Sequence, residues 1–268
     1  MSQAEISLKP GGFGRTMRTD AWWVQPAVVF VVLSAFVVYA TWAALQGDHY
    51  AWGPYLSPFY SPLLFGEGRH AWFHAPRPGW WPAAIPFSAA ILILWIPALF
   101  RVTCYYYRGS YYKAFWADPP ACTVGEPRAC YRGERSFPLI LQNVHRYFLY
   151  LAILFLFVLA RDVWEALWFA DPATGRTTFG IGLGTIVLAT NVVLLAGYTL
   201  GCHSLRHLVG GGRDEISRSP LCQRAYDGVS VLNRWHHRWG WPSLVCVAFA
   251  DLYVRMLAMG VWHDVRLL

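Results

Sequence analysis

Six cysteines and nine histidines are the residues of this 268-residue chain best able to hold a metal or carry electrons, and their placement is uneven. Cys104 lies 23 residues after Trp81, and Cys202 lies 23 residues after Phe179. Each pair of positions brackets an apolar run, so two thiols reach a similar depth if both runs cross a membrane. Imidazoles keep them company. His145 follows Leu141-Gln142-Asn143-Val144, His203 and His207 follow Cys202, and His236 and His237 precede the last apolar run. Ligands projecting inward from facing helices at one level are what a redox centre in a helical bundle requires. A Rieske-type [2Fe–2S] cluster needs two thiolates on one iron and two imidazoles on the other, and a b-type haem needs two axial imidazoles. The haem leaves the paired thiols without a task, so the cluster fits slightly better. His145, about two turns inside its run, is the strongest candidate, because an imidazole there is costly without a role. His203 and His207 are four apart and share a helix face. They suit one metal or a phosphate headgroup equally. His236 and His237 point about 100° apart on a helix, so one of them at most ligates.

Other residues read differently. Cys246 is a small hydrophobe in an apolar helix, and Cys130 and Cys222 read as plain loop thiols. His49, His70, His74 and His263 read as interfacial polar groups. Asp251, near the middle of the last run, is a functional candidate by its position. It could relay a proton, bond a quinone oxygen, or pair with Arg161 or Arg255. Tyr106, in the aromatic stretch from Tyr105 to Tyr112, could flank a quinone ring, and Arg146 could bond its carbonyl.

The elements that position these groups follow from hydropathy. Hydrophobic residues make up 56% of the chain and charged residues 14%, against about 25% charged in a soluble domain. A span needs roughly 20 apolar residues to cross about 30 Å of hydrocarbon. Five segments qualify, at about 22–45, 81–104, 137–163, 179–202 and 239–262. The expected fold is therefore an all-α polytopic membrane protein, residues 1–268 forming one domain of five transmembrane helices. With the N-terminus cytoplasmic, 16 of the 22 Lys and Arg residues fall inside and six outside. The positive-inside rule thus sets the C-terminus outside. Trp22-Trp23, Trp80-Trp81, Trp164, Trp168, Trp239 and Trp241 mark segment ends, where amphipathic rings meet the interface. The net charge of +7 fits basic inner loops rather than nucleic-acid binding. The loop from Gln46 to Trp80 reads as a folded cap on the outer side. The polar N-terminus shows no cleavage site, so the first run reads as a retained span. No repeat is visible, and the inverted-repeat signature of many transporters is absent.

Several runs taken together resemble a known family. Phe100-Arg101-Val102-Thr103-Cys104-Tyr105-Tyr106-Tyr107-Arg108, Pro119-Pro120-Ala121-Cys122, Leu141-Gln142-Asn143-Val144-His145-Arg146-Tyr147, Cys202-His203-Ser204-Leu205-Arg206-His207 and Leu232-Asn233-Arg234-Trp235-His236 are similar to the single-chain, five-helix membrane anchor (the SdhC-like, cytochrome b-type subunit) of a bacterial succinate dehydrogenase, complex II. The likeness covers residues 85 to 260. It implies a multi-pass subunit of the bacterial cytoplasmic membrane, with a flavoprotein and an iron–sulfur subunit as partners. It further implies a membrane-embedded Rieske-type [2Fe–2S] cluster as carrier and quinone as acceptor. Metal roles carried over by the resemblance fall on Cys104, Cys202, His145 and His236, with His203 and His207 as alternates and Cys122 as a possible replacement thiol.

The residues agree on what the chain cannot do. It has no flavin or nucleotide fingerprint, no Cys-x-x-Cys pair and no large soluble domain. It cannot dehydrogenate a substrate alone and holds no catalytic residue of its own; the resemblance implies that it acts only as the quinone-reducing part of a succinate:quinone oxidoreductase. A basic inner face suits docking of a soluble donor. Two competing readings are a proton- or ion-coupled transporter built on Asp251 and a purely structural anchor.

Overall fold

The computed structural model describes residues 12–117, 124–125, 137, 139–170, 174–211 and 215–268. Four helices are long and apolar enough to cross a membrane: α1 (Val24–Gln46), α5 (His145–Glu165), α6 (Leu183–Leu200) and α9 (His236–Ala258). The segment expected as a second span, 81–104, instead forms two shorter helices, α2 (Ala89–Ile93) and α3 (Trp95–Val102). Pro97 accounts for the break. It has no N–H to give to the Ile93 carbonyl, and its ring crowds that carbonyl, so the ladder parts there. A third helix, α4 (Tyr105–Phe115), follows Cys104. After α6 come the short α7 (His203–Gly210) and α8 (Pro220–Arg234). Two small antiparallel ribbons, β1 (Ala51–Trp52) with β2 (Tyr55–Leu56) and β3 (Trp168–Ala170) with β4 (Thr177–Phe179), and 3-10 turns at Pro58–Tyr60, Leu139–Val144 and Ile216–Arg218 complete the described elements.

The contacts group the chain into two compact units. The first comprises Met1–Ala35 and Arg101–Asn143, and the second Phe36–Phe100 and Val144–Leu268. In the second unit α6 packs along α9 and α5, and α7 packs on α8. Close approach is bought with glycine at α6. A Cβ on Gly197 would stand 2.6 Å from the Trp239 indole, and one on Gly184 would stand 2.4 Å from the Tyr55 ring.

The same unit holds the cap expected between Gln46 and Trp80. Its residues from Tyr55 to Leu63 are buried as deeply as any helix core, Tyr55 and Tyr60 completely. Three carboxylates from distant parts of the chain hold it. Ser57 Oγ donates to Asp251 on α9, and Ser61 Oγ donates to Asp162 on α5. Tyr55 OH donates to Asp264 Oδ2 at 2.6 Å, while Asp264 Oδ1 accepts from Tyr253 OH and Gly184 N–H. Burying polar groups at this density is stable because each has a partner.

Candidate redox site

Cys202 ends up in a joint between two helices. Gly201 closes α6, and Cys202 takes an extended conformation (φ −66°, ψ 140°) as the residue that starts α7. Its carbonyl accepts from Arg206 N–H at 3.1 Å, the first bond of the new helix. Gly201 also lets α8 come close, and Asn233 Nδ2 donates to the Gly201 carbonyl at 2.8 Å. Cys104 occupies the same kind of joint in the first unit, between α3 and α4 (φ −62°, ψ 132°), with its carbonyl accepting from Arg108 N–H at 2.8 Å. Both thiols are buried. Each therefore sits at the start of a helix, the end whose dipole favours negative charge.

His145 opens α5, after a 3-10 turn over Leu139–Val144, and is buried. Its Nε2 lies 3.1 Å from Cys202 Sγ. The donor atoms themselves, and not only the residues, are thus directed at one point from two elements. The imidazole ring lies flat on Phe100, with centroids 4.7 Å apart and planes 7° apart. Phe100 meets Tyr198 edge-on at 5.7 Å, and Tyr198 lies flat on His236 at 4.7 Å. Four rings in series thereby link the start of α5 to the start of α9. Because each imidazole is nearly parallel to its aromatic neighbour and the two aromatics cross at 70°, the planes of His145 and His236 are steeply crossed.

The remaining candidates separate. His203 and His207 face each other on the exposed side of α7, Nε2 to Nε2 at 3.0 Å. Burial first, and then the neighbouring His207 and Arg206, hold the His203 pKa below its ordinary value. His237 is exposed. Arg146 is exposed, its guanidinium 5.4 Å from the Tyr147 ring centroid. Tyr106 is half-buried on α4. In the first unit, beside Cys104, buried Arg101 donates from Nη1 to Tyr107 OH at 2.8 Å. Burial pushes the Tyr107 phenol up to about 12. Cys122 and Cys130 lie outside the described residues, as does most of the loop that holds them.

Asp251 is fully buried 15 positions along α9 from His236, roughly 22 Å at 1.5 Å per residue. Of the two ion-pair partners expected, it takes Arg255, whose Nε is 3.4 Å from Oδ2. Tyr39 OH donates to the same oxygen at 2.6 Å, and Ser57 donates to the other. Arg255 in turn donates to the Ala43 and Asp48 carbonyls at and just past the end of α1. The arrangement is a filled clamp between α9, α1 and the cap, and it gives the transporter reading no open carboxylate.

Phe100 and Tyr198, the rings that lie against the two imidazoles, were not flagged by residue type alone. Each lies four positions before a buried cysteine, which is the signal that could have found them.

The donor chemistry suits an iron–sulfur cluster. Within the second unit Cys202, His145 and His236 offer donors of the two kinds that a Rieske centre takes, and the thiol and one imidazole share a contact. Among the described residues, no three His, Cys, Asp or Glu side chains gather close enough to hold a single ion.

A family model for the actinobacterial succinate dehydrogenase subunit SdhC matches residues 24–260. The chain belongs to the SdhC family. A chain of the Mycobacterium smegmatis Sdh1 complex in the apo form is 41% identical, with 94% of each chain covered and a TM-score of 0.83. No curated protein sequence matches. This SdhC chain is accordingly a multi-pass subunit of the bacterial inner membrane, assembled with the flavoprotein and iron–sulfur subunits of succinate dehydrogenase, as the sequence runs implied.

Proposed function

We propose that this SdhC subunit passes electrons from the docked iron–sulfur subunit to quinone, and that Cys104, Cys202, His145 and His236 hold a Rieske-type [2Fe–2S] cluster for that purpose. The observation that carries the reading is the 3.1 Å approach of His145 Nε2 to Cys202 Sγ, buried and made between two separate elements. When bound, such a cluster supplies a one-electron carrier whose potential imidazole ligation raises well above that of an all-cysteine cluster. The chain's own residues do the rest. The two helix joints fix the thiols, and Phe100 and Tyr198 lie against the faces of the two imidazoles and hold their planes. Arg146, exposed one position beyond His145, would bond a quinone oxygen in this reading.

We further infer five crossings, counting the Pro97-broken segment as one, with the N-terminus cytoplasmic and the C-terminus outside. The 16-to-six partition of cations supports that orientation.

Iron and acid-labile sulfide counts, with a low-temperature EPR spectrum, test the reading on the purified complex. A Rieske-type g-tensor is expected in the wild type and absent from Cys202→Ser, with the signals of the iron–sulfur subunit unchanged. A haem absorbance band in place of that signal would assign the imidazoles to a b-type haem. Finding neither in fully active complex would remove the redox role.

A further inference from the structure

The first unit contains a cleft of about 420 Å³ that the electron-transfer reading does not use. Gln25, Pro26 and Val29, from the first turns of α1, form one wall. The other is a single face of α4, on which Tyr106, Gly109, Ser110 and Lys113 recur at helical spacing. The walls differ in kind along their length. Pro26 and Val29 are apolar, whereas Gln25, Ser110 and Lys113 bring an amide, a hydroxyl and an ammonium. The rings of Phe30 and Phe115, one from each helix, meet at 4.8 Å.

Three observations indicate what fits there. The first is position. α1 is an apolar span, and the cleft lies at its starting turns beside the exposed Trp23, which is the depth of lipid headgroups. The second is charge. Among the described residues of this unit there are five cations, Arg15, Arg18, Arg101, Arg108 and Lys113, against one carboxylate, Asp20. Asp20 is already paired with Arg18, and Lys113 makes no ion pair among the described residues. The third is Gly109. Glycine is costly inside a helix, and nothing in the backbone demands it here, since a Cβ would meet no atom within 4 Å. Its small size keeps the floor of the cleft open.

We propose that this cleft binds the phosphate headgroup of an anionic phospholipid, with Lys113 as its cationic contact. A quinone carbonyl can accept a hydrogen bond from that ammonium but carries no charge to offset it, so the excess of cations favours the lipid phosphate and gives Tyr106 to a lipid wall. The site shares no residue with the metal ligands and stands or falls apart from them.

The test uses the whole succinate dehydrogenase complex, delipidated and then offered phosphatidylglycerol or phosphatidylcholine, with bound lipid counted by native mass spectrometry. Wild type is expected to hold one phosphatidylglycerol and to prefer it over phosphatidylcholine by about fivefold, the value of one lysine near an anionic surface. Lys113→Ala is expected to bring the two lipids to parity. Gly109→Leu, which fills the cleft without straining the helix, is expected to lower occupancy by both. Dye-coupled succinate oxidation confirms that each variant complex is assembled. Equal binding of the two lipids by wild type, or an unchanged preference in Lys113→Ala, would overturn the proposal. So would stoichiometric displacement of phosphatidylglycerol by a short-chain quinone.

Discussion

The imidazole of His145 and the thiol of Cys202 belong to different helical elements, yet ring nitrogen and sulfur lie 3.1 Å apart in a site closed to solvent. Two groups that serve one centre should not fail independently. Either His145→Ala or Cys202→Ala is expected to abolish quinone reduction while dye-coupled succinate oxidation persists, and the double variant should be no worse than either alone. Residues acting as a unit show that non-additivity. Losses that simply multiplied would separate the two groups.

Asp251 and Arg255 make the opposite prediction. Breaking a buried pair by removing one partner costs about 3–5 kcal/mol, because a charge is left uncompensated. Asp251→Ala should destabilise the complex by that order, read as a lower thermal midpoint, and Arg255→Met added to it should restore part of the loss. Quinone reduction in the folded fraction should be unchanged. A selective loss of turnover at normal stability would return Asp251 to the list of functional groups.

Gly197 tests the packing around the proposed site. An alanine Cβ would stand 2.6 Å from the Trp239 indole, well inside contact distance. Overpacking of this kind costs typically about 1–3 kcal/mol. Gly197→Ala is therefore expected to destabilise the complex by that amount, and Trp239→Leu should relieve it. Unaltered melting of Gly197→Ala would show that α6 and α9 tolerate separation there.

His70, in the cap, gives a pH dependence. Burial, and after it the neighbouring Arg69, hold its pKa below the ordinary value. The unfolded chain therefore takes up the proton first, so stability is full above the ordinary histidine range and falls as pH drops through it. The loss levels off once the folded imidazole also charges. Thermal midpoints measured between about pH 7.5 and about pH 5 should decline, and His70→Asn should flatten the decline. An identical slope in the variant would place the acid-sensitive group elsewhere.

How far the sequence could be read depended on whether partners were near in the chain. Equal spacing from Trp81 and Phe179 found Cys104 and Cys202, and both turn out to occupy the same kind of helix joint. The four long spans followed from hydropathy, within a few residues at most ends. Hydropathy sums side chains and is blind to the backbone ladder, so it passed over the break that Pro97 imposes after Ile93. The hydrogen-bond partners of Asp251 escaped for a related reason, since Ser57 and Tyr39 lie 194 and 212 positions away, whereas Arg255, four positions on, was among the partners expected. The fit of Tyr198 on His236 was equally invisible, because it depends on how α6 meets α9.

Tyr55 and the carboxylate that receives its hydroxyl proton are separated by 209 positions. Ribosomes make the cap early, but of its three carboxylate anchors Asp162 comes with α5, Asp251 with α9, and Asp264 only after α9. Until then Tyr60 can pack against Ala43, Ala89 and Ala90, but Tyr55 lacks the carboxylate that takes its hydroxyl proton. The outermost tie of the cap thus cannot form before α9 is in place, which makes it the step that couples the cap to the far side of the bundle.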